Sequence, residues 1–99
     1  MNFKHQGNNL HLCTPDGQLI ASIGWIFLPD VQAVAVERCW LRPGYDAQYL
    51  HTTMTTFFEH IVSQHLNILP LCPEMVTFLR HHPQGQELWL KKHTTLEES

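Results

Sequence analysis

Charge is scarce in this chain, and positive charge scarcer still: 15 % of its 99 residues are Asp, Glu, Lys or Arg, and only six are Lys or Arg. The net charge is −3 and the basic residues are scattered apart from Lys91-Lys92, so there is no broad electrostatic footprint for DNA or RNA. Nucleic acid is set aside as a main partner. Long apolar runs are missing too. No stretch approaches the roughly 18 to 20 residues that span a bilayer, and the opening MNFKHQGNNL lacks the apolar core of a signal peptide. These absences predict a cytoplasmic protein with no membrane partner. Cysteine is limited to Cys13, Cys39 and Cys72. An odd number, wide spacing and no C-x-x-C pair argue against a disulfide framework and a cysteine zinc site, and in favour of reduced thiols.

Internal repeats, low-complexity tracts and linker-like stretches are absent as well. What is present is a globular composition, 43 % hydrophobic. A chain of this size buries about 60 to 65 % of its unfolded surface, which leaves little room for a second core. The expectation is one domain over residues 1–99, with a polar tail, KKHTTLEES, from about residue 91.

Moderate alternation in NLHLCTPDGQLIASIGWIFLP, interrupted by Pro15-Asp16-Gly17, predicts a β-hairpin: proline presets one dihedral of the turn and glycine tolerates positive φ. VQAVAVERCWL is rich in β-branched and aromatic residues and reads as a third strand, antiparallel to the second. Its first half is apolar on both faces, as in the middle of a sheet. From Asp46 to His65 the period changes. Leu50, Met54, Phe57, Phe58, Ile61 and Val62 then fall on one helical stripe, with Asp46 as the N-cap. LNILPL follows as a short buried strand, and the intervening helix makes it parallel to the third strand in a β-α-β crossover. A shorter helix starts at Pro73, with Met75, Val76 and Leu79 as its apolar face, and HHPQGQ ends it. The fold class is α+β, a mixed and mostly antiparallel sheet with one long crossover helix and a shorter C-terminal helix.

Pro73 at the first helical position makes Cys72 the N-cap, with its sulfur beside unpaired N–H groups and the positive end of the dipole. Such a place stabilises thiolate over thiol. Cys72 can therefore be a nucleophile, or it can be a small buried residue plugging a strand-to-helix corner.

The order strand, strand, strand, helix, strand, Pro-x-Cys-Pro, helix resembles the GNAT superfamily of acetyl-CoA-dependent N-acetyltransferases, in particular its minimal subfamily of about 100 residues. LPLCPEMVTFLRHHPQGQELW carries most of the likeness, with Pro70, Cys72, His82, Pro83 and Leu88 in register with a Pro-x-Cys strand end and a later His-Pro-x-x-x-x-Leu segment. The resemblance spans about residues 8 to 90. It implies acetyl transfer from acetyl-CoA to a small amine. Cys72 would take the acetyl group or orient the amine, and the backbone of Cys39, Trp40 and Leu41 would hold the pantetheine arm. The family binds the CoA pyrophosphate on an Arg-Gly-x-Gly turn at the start of the long helix, and here Asp46-Ala47-Gln48-Tyr49 stands in that register, with Arg42 upstream as a possible positive charge. Arg38-Cys39 stands where the family has His-Thr. An aspartate cap competes for the amides that a phosphate needs. The alternative is therefore a catalytically degenerate domain of the same shape, acting as a binding or interaction module.

The remaining candidates point elsewhere. His60 and His65 are five apart and do not share a helix face as an i, i+4 metal pair would, and His81-His82 sits at a helix end that favours such residues, so no metal site is expected. Trp25, Trp40 and Trp89 could line a ligand groove, although aromatics in strands are more often core.

Overall fold

The computed structural model describes residues 1–90, and the tail expected from about residue 91 lies outside the described residues. Five strands run in chain order: β1 (Asn2–His5), β2 (Asn9–Cys13), β3 (Leu19–Leu28), β4 (Ala33–Leu41) and β5 (Asn67–Pro70). With them are α1 (Gln48–Ser63), α2 (Pro73–His81) and the four-residue α3 (Gly85–Leu88). The sheet order is β1-β2-β3-β4-β5, antiparallel except for the parallel β4–β5 pair on either side of the α1 crossover. The fold is thus α+β, with the mixed sheet and long crossover helix that the residue periodicity predicts.

Local chemistry accounts for the connections. Gly17 has φ +95° in the β2–β3 turn, where the Gln18 N–H donates to Thr14 Oγ1 at 2.9 Å. Pro29–Val31 form one 3-10 turn before β4. Asp46 Oδ1 accepts the Gln48 N–H at 2.8 Å, and Ala47 already has helical dihedrals, so Asp46 caps α1 as expected. At the other end His65 adopts φ +57°, its N–H donates to Val62 C=O at 3.0 Å and the Leu66 N–H reaches Ile61 C=O at 3.3 Å. This is the pattern that closes helices through a left-handed residue. The helix is accordingly shorter at both ends than the 46–65 stretch read from the periodicity.

Packing explains why α1 lies where it does. Met54, Phe57, Phe58 and Ile61 are buried against Leu10, Ile23, Val34 and Val36 of the sheet and against Ile68, Met75, Phe78 and Leu79. Leu50 is half-buried beside them. Thr53 joins this face, its hydroxyl donating to Tyr49 C=O at 2.8 Å, which satisfies the buried polar group. Val62 corrects the expected stripe: it is 39 % exposed. It lies one turn past Phe58, which is covered by the rings of Phe78 in α2 and of His82 just after that helix, and that cover does not extend to it.

Three further differences follow from tertiary contacts. β1 has no predictive pattern, since Asn2–His5 are all exposed; it forms by pairing with the open edge of β2. On α2 the buried residues are Met75, Phe78 and Leu79, with Val76 only half-buried, so Phe78 takes the place expected of Val76. Beyond α2 the chain does not simply end in a loop. α3 folds back, and Trp89 and Leu90 add to the outer edge of β5, with the Leu90 N–H donating to Ile68 C=O at 2.7 Å. Gly85 permits this approach: a Cβ there would lie 2.0 Å from Leu79 O, closer than any two such atoms come.

Phe58→Ala is expected to lower unfolding free energy by about 3 to 5 kcal/mol in chemical denaturation, while Val62→Ala stays within about 0.5 kcal/mol. A Phe58→Ala loss below about 1 kcal/mol would place the helix on the wrong face. Gly85→Ala is expected to lose roughly 1 to 3 kcal/mol, because the added methyl meets backbone rather than a movable side chain.

Candidate functional site

Parallel pairing between β4 and β5 runs from Ala33 opposite Asn67 to Val36 opposite Pro70, and a last bond joins the Leu71 N–H to Val36 C=O at 2.9 Å. Pro73 then opens α2, so the chain turns away from the sheet. β4 continues to Leu41 with only its β3 side paired: Ile23 with Cys39, Ser22 with Trp40, Ala21 with Leu41. A gap therefore opens between β4 and the start of α2. Cys39 and Cys72 face each other across it, Sγ to Sγ at 3.0 Å.

This contact governs the ionisation of both thiols. Cys72 is held down to about 7, first because the Cys39 S–H can donate to a Cys72 thiolate, and also by the Met75 N–H in the first turn of α2; burial and the nearby Glu74 carboxylate oppose the shift. Cys39 moves the opposite way. Its hydrogen bond to Cys72, then burial, then the charges of Cys72 and Glu74 push it well above the ordinary thiol range. Of the two thiols it is therefore Cys72 that ionises first, while Cys39 keeps its proton. No full hydrogen bond joins Cys72 Sγ to the helix amides, so the helix end assists and the second thiol dominates.

The loop after β4 is built differently from an anion cradle. Arg42 Nε donates to Leu19 C=O at 2.7 Å, and its guanidinium lies over the Trp40 ring, 5.5 Å from the centroid. Arg42 is thereby tied to β3 and Trp40 rather than directed to the α1 terminus. Gly44 takes φ +90° and shapes the turn. At α1 the Asp46 carboxylate occupies the Gln48 amide, Ala47 and Gln48 are exposed, and the half-buried Tyr49 stacks edge-on to Tyr45 at 6.0 Å. A pyrophosphate does not fit this terminus as it stands, because a carboxylate already holds an amide that the phosphate would use.

Of the residues singled out in the sequence, the fold brings Cys39 and Cys72 into contact, strings Trp40, Leu41 and Arg42 along the same open strand, and leaves Asp46–Tyr49 at the mouth of α1. It also assembles a groove that the sequence reading did not include. Ala47 just before α1, and Leu50, His51 and Met54 within it, face Glu74, Thr77 and Phe78 of α2 around about 270 Å³. A neighbouring cavity of about 350 Å³ is lined by His51, Thr77, Phe78, His81, His82 and Pro83. The i, i+3, i+4 spacing of Met75, Phe78 and Leu79 could have revealed Phe78; nothing local reveals that His51 meets α2. His81 and His82 serve the backbone, with His81 Nδ1 donating to Thr77 C=O at 2.9 Å and His82 Nδ1 accepting the Gln84 N–H at 3.1 Å. His60 lies against His5, with ring centroids 4.9 Å apart. Among the described residues no three His, Cys, Asp or Glu side chains gather to hold a metal. Trp25 and Trp89 pack against the core, whereas Trp40 is half-buried beside Arg42. No helix among the described residues is long and apolar enough to cross a membrane.

The mixed sheet, whose β4 and β5 run parallel and then part and are joined by one long crossover helix, is a GNAT-type fold by its likeness to a solved structure. The solution structure of a "GCN5-like putative N-acetyltransferase" from Staphylococcus aureus is similar to this chain, with a TM-score of 0.72 over 93 % of this chain and 92 % of that one, at 17 % sequence identity. At that identity the likeness establishes the shared fold, not a shared activity. No protein-family model matches the chain, and no curated protein matches it.

Iodoacetamide alkylation tests the thiol pair. Cys72 and Cys13 are equally buried, each 7 % exposed, so a difference in rate reports chemistry rather than access. Cys72 is expected to label faster at neutral pH, its rate rising with pH to half-maximum near 7 as the thiolate forms. Cys39→Ala removes the donor and should shift that midpoint upward, toward roughly 8.5. Mass-spectrometric mapping in which Cys72 is the slowest of the three thiols would remove the nucleophile reading.

Proposed function

We propose that this chain is a small, cytoplasmic, acetyl-CoA-dependent N-acyltransferase of the GNAT type, which transfers an acetyl group to a small amine. The single observation that carries the proposal is the placement of the Cys72 thiol, 3.0 Å from Cys39 Sγ, at the point where β4 and β5 part. The donor supplies an activated acyl thioester. The residues present fit one half of it: beyond Val36, the edge of β4 at Cys39, Trp40 and Leu41 is free of β5 and presents backbone to a pantetheine-like arm. Cys72 would supply a thiolate to the acyl carbon, the donor's carbon–sulfur bond breaking as its thiol leaves and the amine then taking the acyl group and releasing Cys72, or would accept a hydrogen bond from the acceptor amine, and Cys39 would keep the proton on its own sulfur meanwhile.

A second reading has its own support. The Asp46 carboxylate on the Gln48 N–H, at 2.8 Å, fills the place where a pyrophosphate would bind. It favours a domain that keeps the fold and binds a partner without acyl chemistry. The two readings diverge on donor affinity and turnover.

Calorimetric titration of the reduced chain with acetyl-CoA and with CoA is expected to show weak binding. Asp46→Arg with Ala47→Gly and Tyr49→Gly rebuilds an Arg-Gly-Gln-Gly turn and is expected to tighten CoA by one or more factors of ten, each worth about 1.4 kcal/mol. Helix stability should fall at the same time, through the lost cap and added glycines. Tight binding by the natural chain, unchanged in the triple variant, would mean that other residues hold the phosphates and would remove the degenerate reading. Release of CoA that depends on a primary amine and is lost in Cys72→Ala supports the acyltransferase. Absence of release with every amine tried leaves the binding module.

A further inference from the structure

The Cys39 thiol lies outside the Pro-x-Cys pattern, and in the acyl-transfer reading it forms and breaks no bond to the acyl group. The two sulfurs are 33 residues apart in sequence and 3.0 Å apart in space, about 1 Å beyond the length of a disulfide bond. Both are free thiols. Cys39 is half-buried on a strand fixed by β3, and Cys72 stands two residues past the end of β5, in extended conformation, φ −114° and ψ 146°. One sulfur is anchored and the other sits on a corner, so the closing movement falls on a single N-cap residue.

We propose that Cys39 and Cys72 form a two-cysteine centre that reduces hydroperoxides, with Cys72 as the attacking thiol and Cys39 as the resolving one. The Cys72 thiolate attacks one oxygen of the peroxide: an S–O bond forms, the O–O bond breaks and the departing hydroxide takes a proton to leave as water, or as an alcohol from an organic peroxide. Cys72 is then a sulfenic acid, oxidised by two electrons, and the peroxide is reduced. Cys39 attacks that sulfur, the S–S bond forms as the S–O bond breaks, and the hydroxyl leaves with the Cys39 proton as a second water. The net change is two thiols and one peroxide to one disulfide and two waters. A small dithiol such as dithiothreitol returns the pair to its starting state by exchange.

The assignment of roles agrees with the ionisation described above, since the thiolate is the reactive form and Cys39 holds the proton. The Glu74 carboxylate opposes negative charge on either sulfur, so it does not alter which of them carries it. A thiol half-ionised at pH 7 presents roughly ten times more thiolate than an ordinary cysteine, an advantage partly offset by its lower intrinsic nucleophilicity. Cys13 is as buried as Cys72 and serves as an internal control. The reaction needs no acyl donor. Its one link to acyl transfer, that the disulfide removes the Cys72 thiol, rests on the reading under Proposed function.

The test uses the full chain, reduced and freed of reductant, with near-stoichiometric hydrogen peroxide at neutral pH and no CoA. The expected product has lost the mass of two hydrogens, retains one free thiol, and gives a peptide joining Cys39 to Cys72 that dithiothreitol separates. In Cys39→Ser the same treatment should give a dimedone-trappable sulfenic acid at Cys72 that proceeds to sulfinic acid. In Cys72→Ser peroxide consumption should fall several-fold. The proposal is overturned if the natural chain forms only intermolecular disulfides, if Cys13 oxidises as fast as Cys72, or if Cys72 reaches sulfinic acid as readily with Cys39 present as without it. The peptide map of the natural chain decides the matter even if a serine variant fails to fold. A positive map with no amine-dependent release of CoA would uphold this centre while removing the acyltransferase.

Discussion

The parallel pairing of β4 with β5, and its abrupt end after Val36 and Pro70, is the constraint on which the rest of the molecule depends. Parallel strands require a long crossover, so α1 must run across the sheet and bury Phe57 and Phe58 on it. The pairing ends because Pro73 has no N–H to continue a ladder and its fixed φ suits the first turn of a helix. From that one turn follow the open edge of β4, the position of Cys72 at the head of α2, and its meeting with Cys39. The outer edge of β5 would otherwise be exposed, and the fold covers it with Trp89 and Leu90, for which Gly85 makes room.

Two helix N-termini lie near this gap, and the chain treats them in opposite ways. At α1 the positive end is answered from within, by the Asp46 carboxylate on the Gln48 amide. At α2 the N-cap side chain is a thiol that makes no full cap bond and turns instead to a second sulfur. The first arrangement stabilises a helix and takes up a place for an anion. The second leaves an anion on sulfur stabilised by a neighbour that keeps its proton. Arg42, the nearest upstream cation in the sequence, is committed to Leu19 C=O and the Trp40 ring. The loop is thus closed by contacts within the chain, while the two thiols face each other.

Particular residues mark how far sequence reasoning reaches. The hairpin at Pro15-Asp16-Gly17, the α1 stripe, the Asp46 cap and the helix start at Pro73 are local, each governed by dihedral preference or by spacing within a few residues, and each is present. The failures are places where exposure depends on another element. Val62 has the spacing of a core residue but lies past the reach of α2. Val76 and Phe78 compete for one face of α2, and contact with the Phe58 ring selects Phe78. β1 has no apolar pattern and exists because β2 offers it an edge. Within the site, Cys72 was legible from its place before Pro73, whereas its low pKa owes more to Cys39 than to the helix that suggested it.

By itself the sequence determined β2 to β5, α1 and α2, their order, the crossover and the chemistry available at each turn, because these rest on short-range sterics, period and capping. Only the tertiary structure decided the strand register. A register that sets Val36 beside Pro70 places Cys39 against Cys72, and the spacing of 33 residues contains no sign of it. It also decided that His51 would meet Thr77 and Phe78, and that Arg42 would be held by Leu19. The physical reason is the range of the interactions: dihedral and capping preferences act over about one helical turn. Side-chain ionisation and site assembly depend on groups brought within a few ångströms by packing of the whole chain.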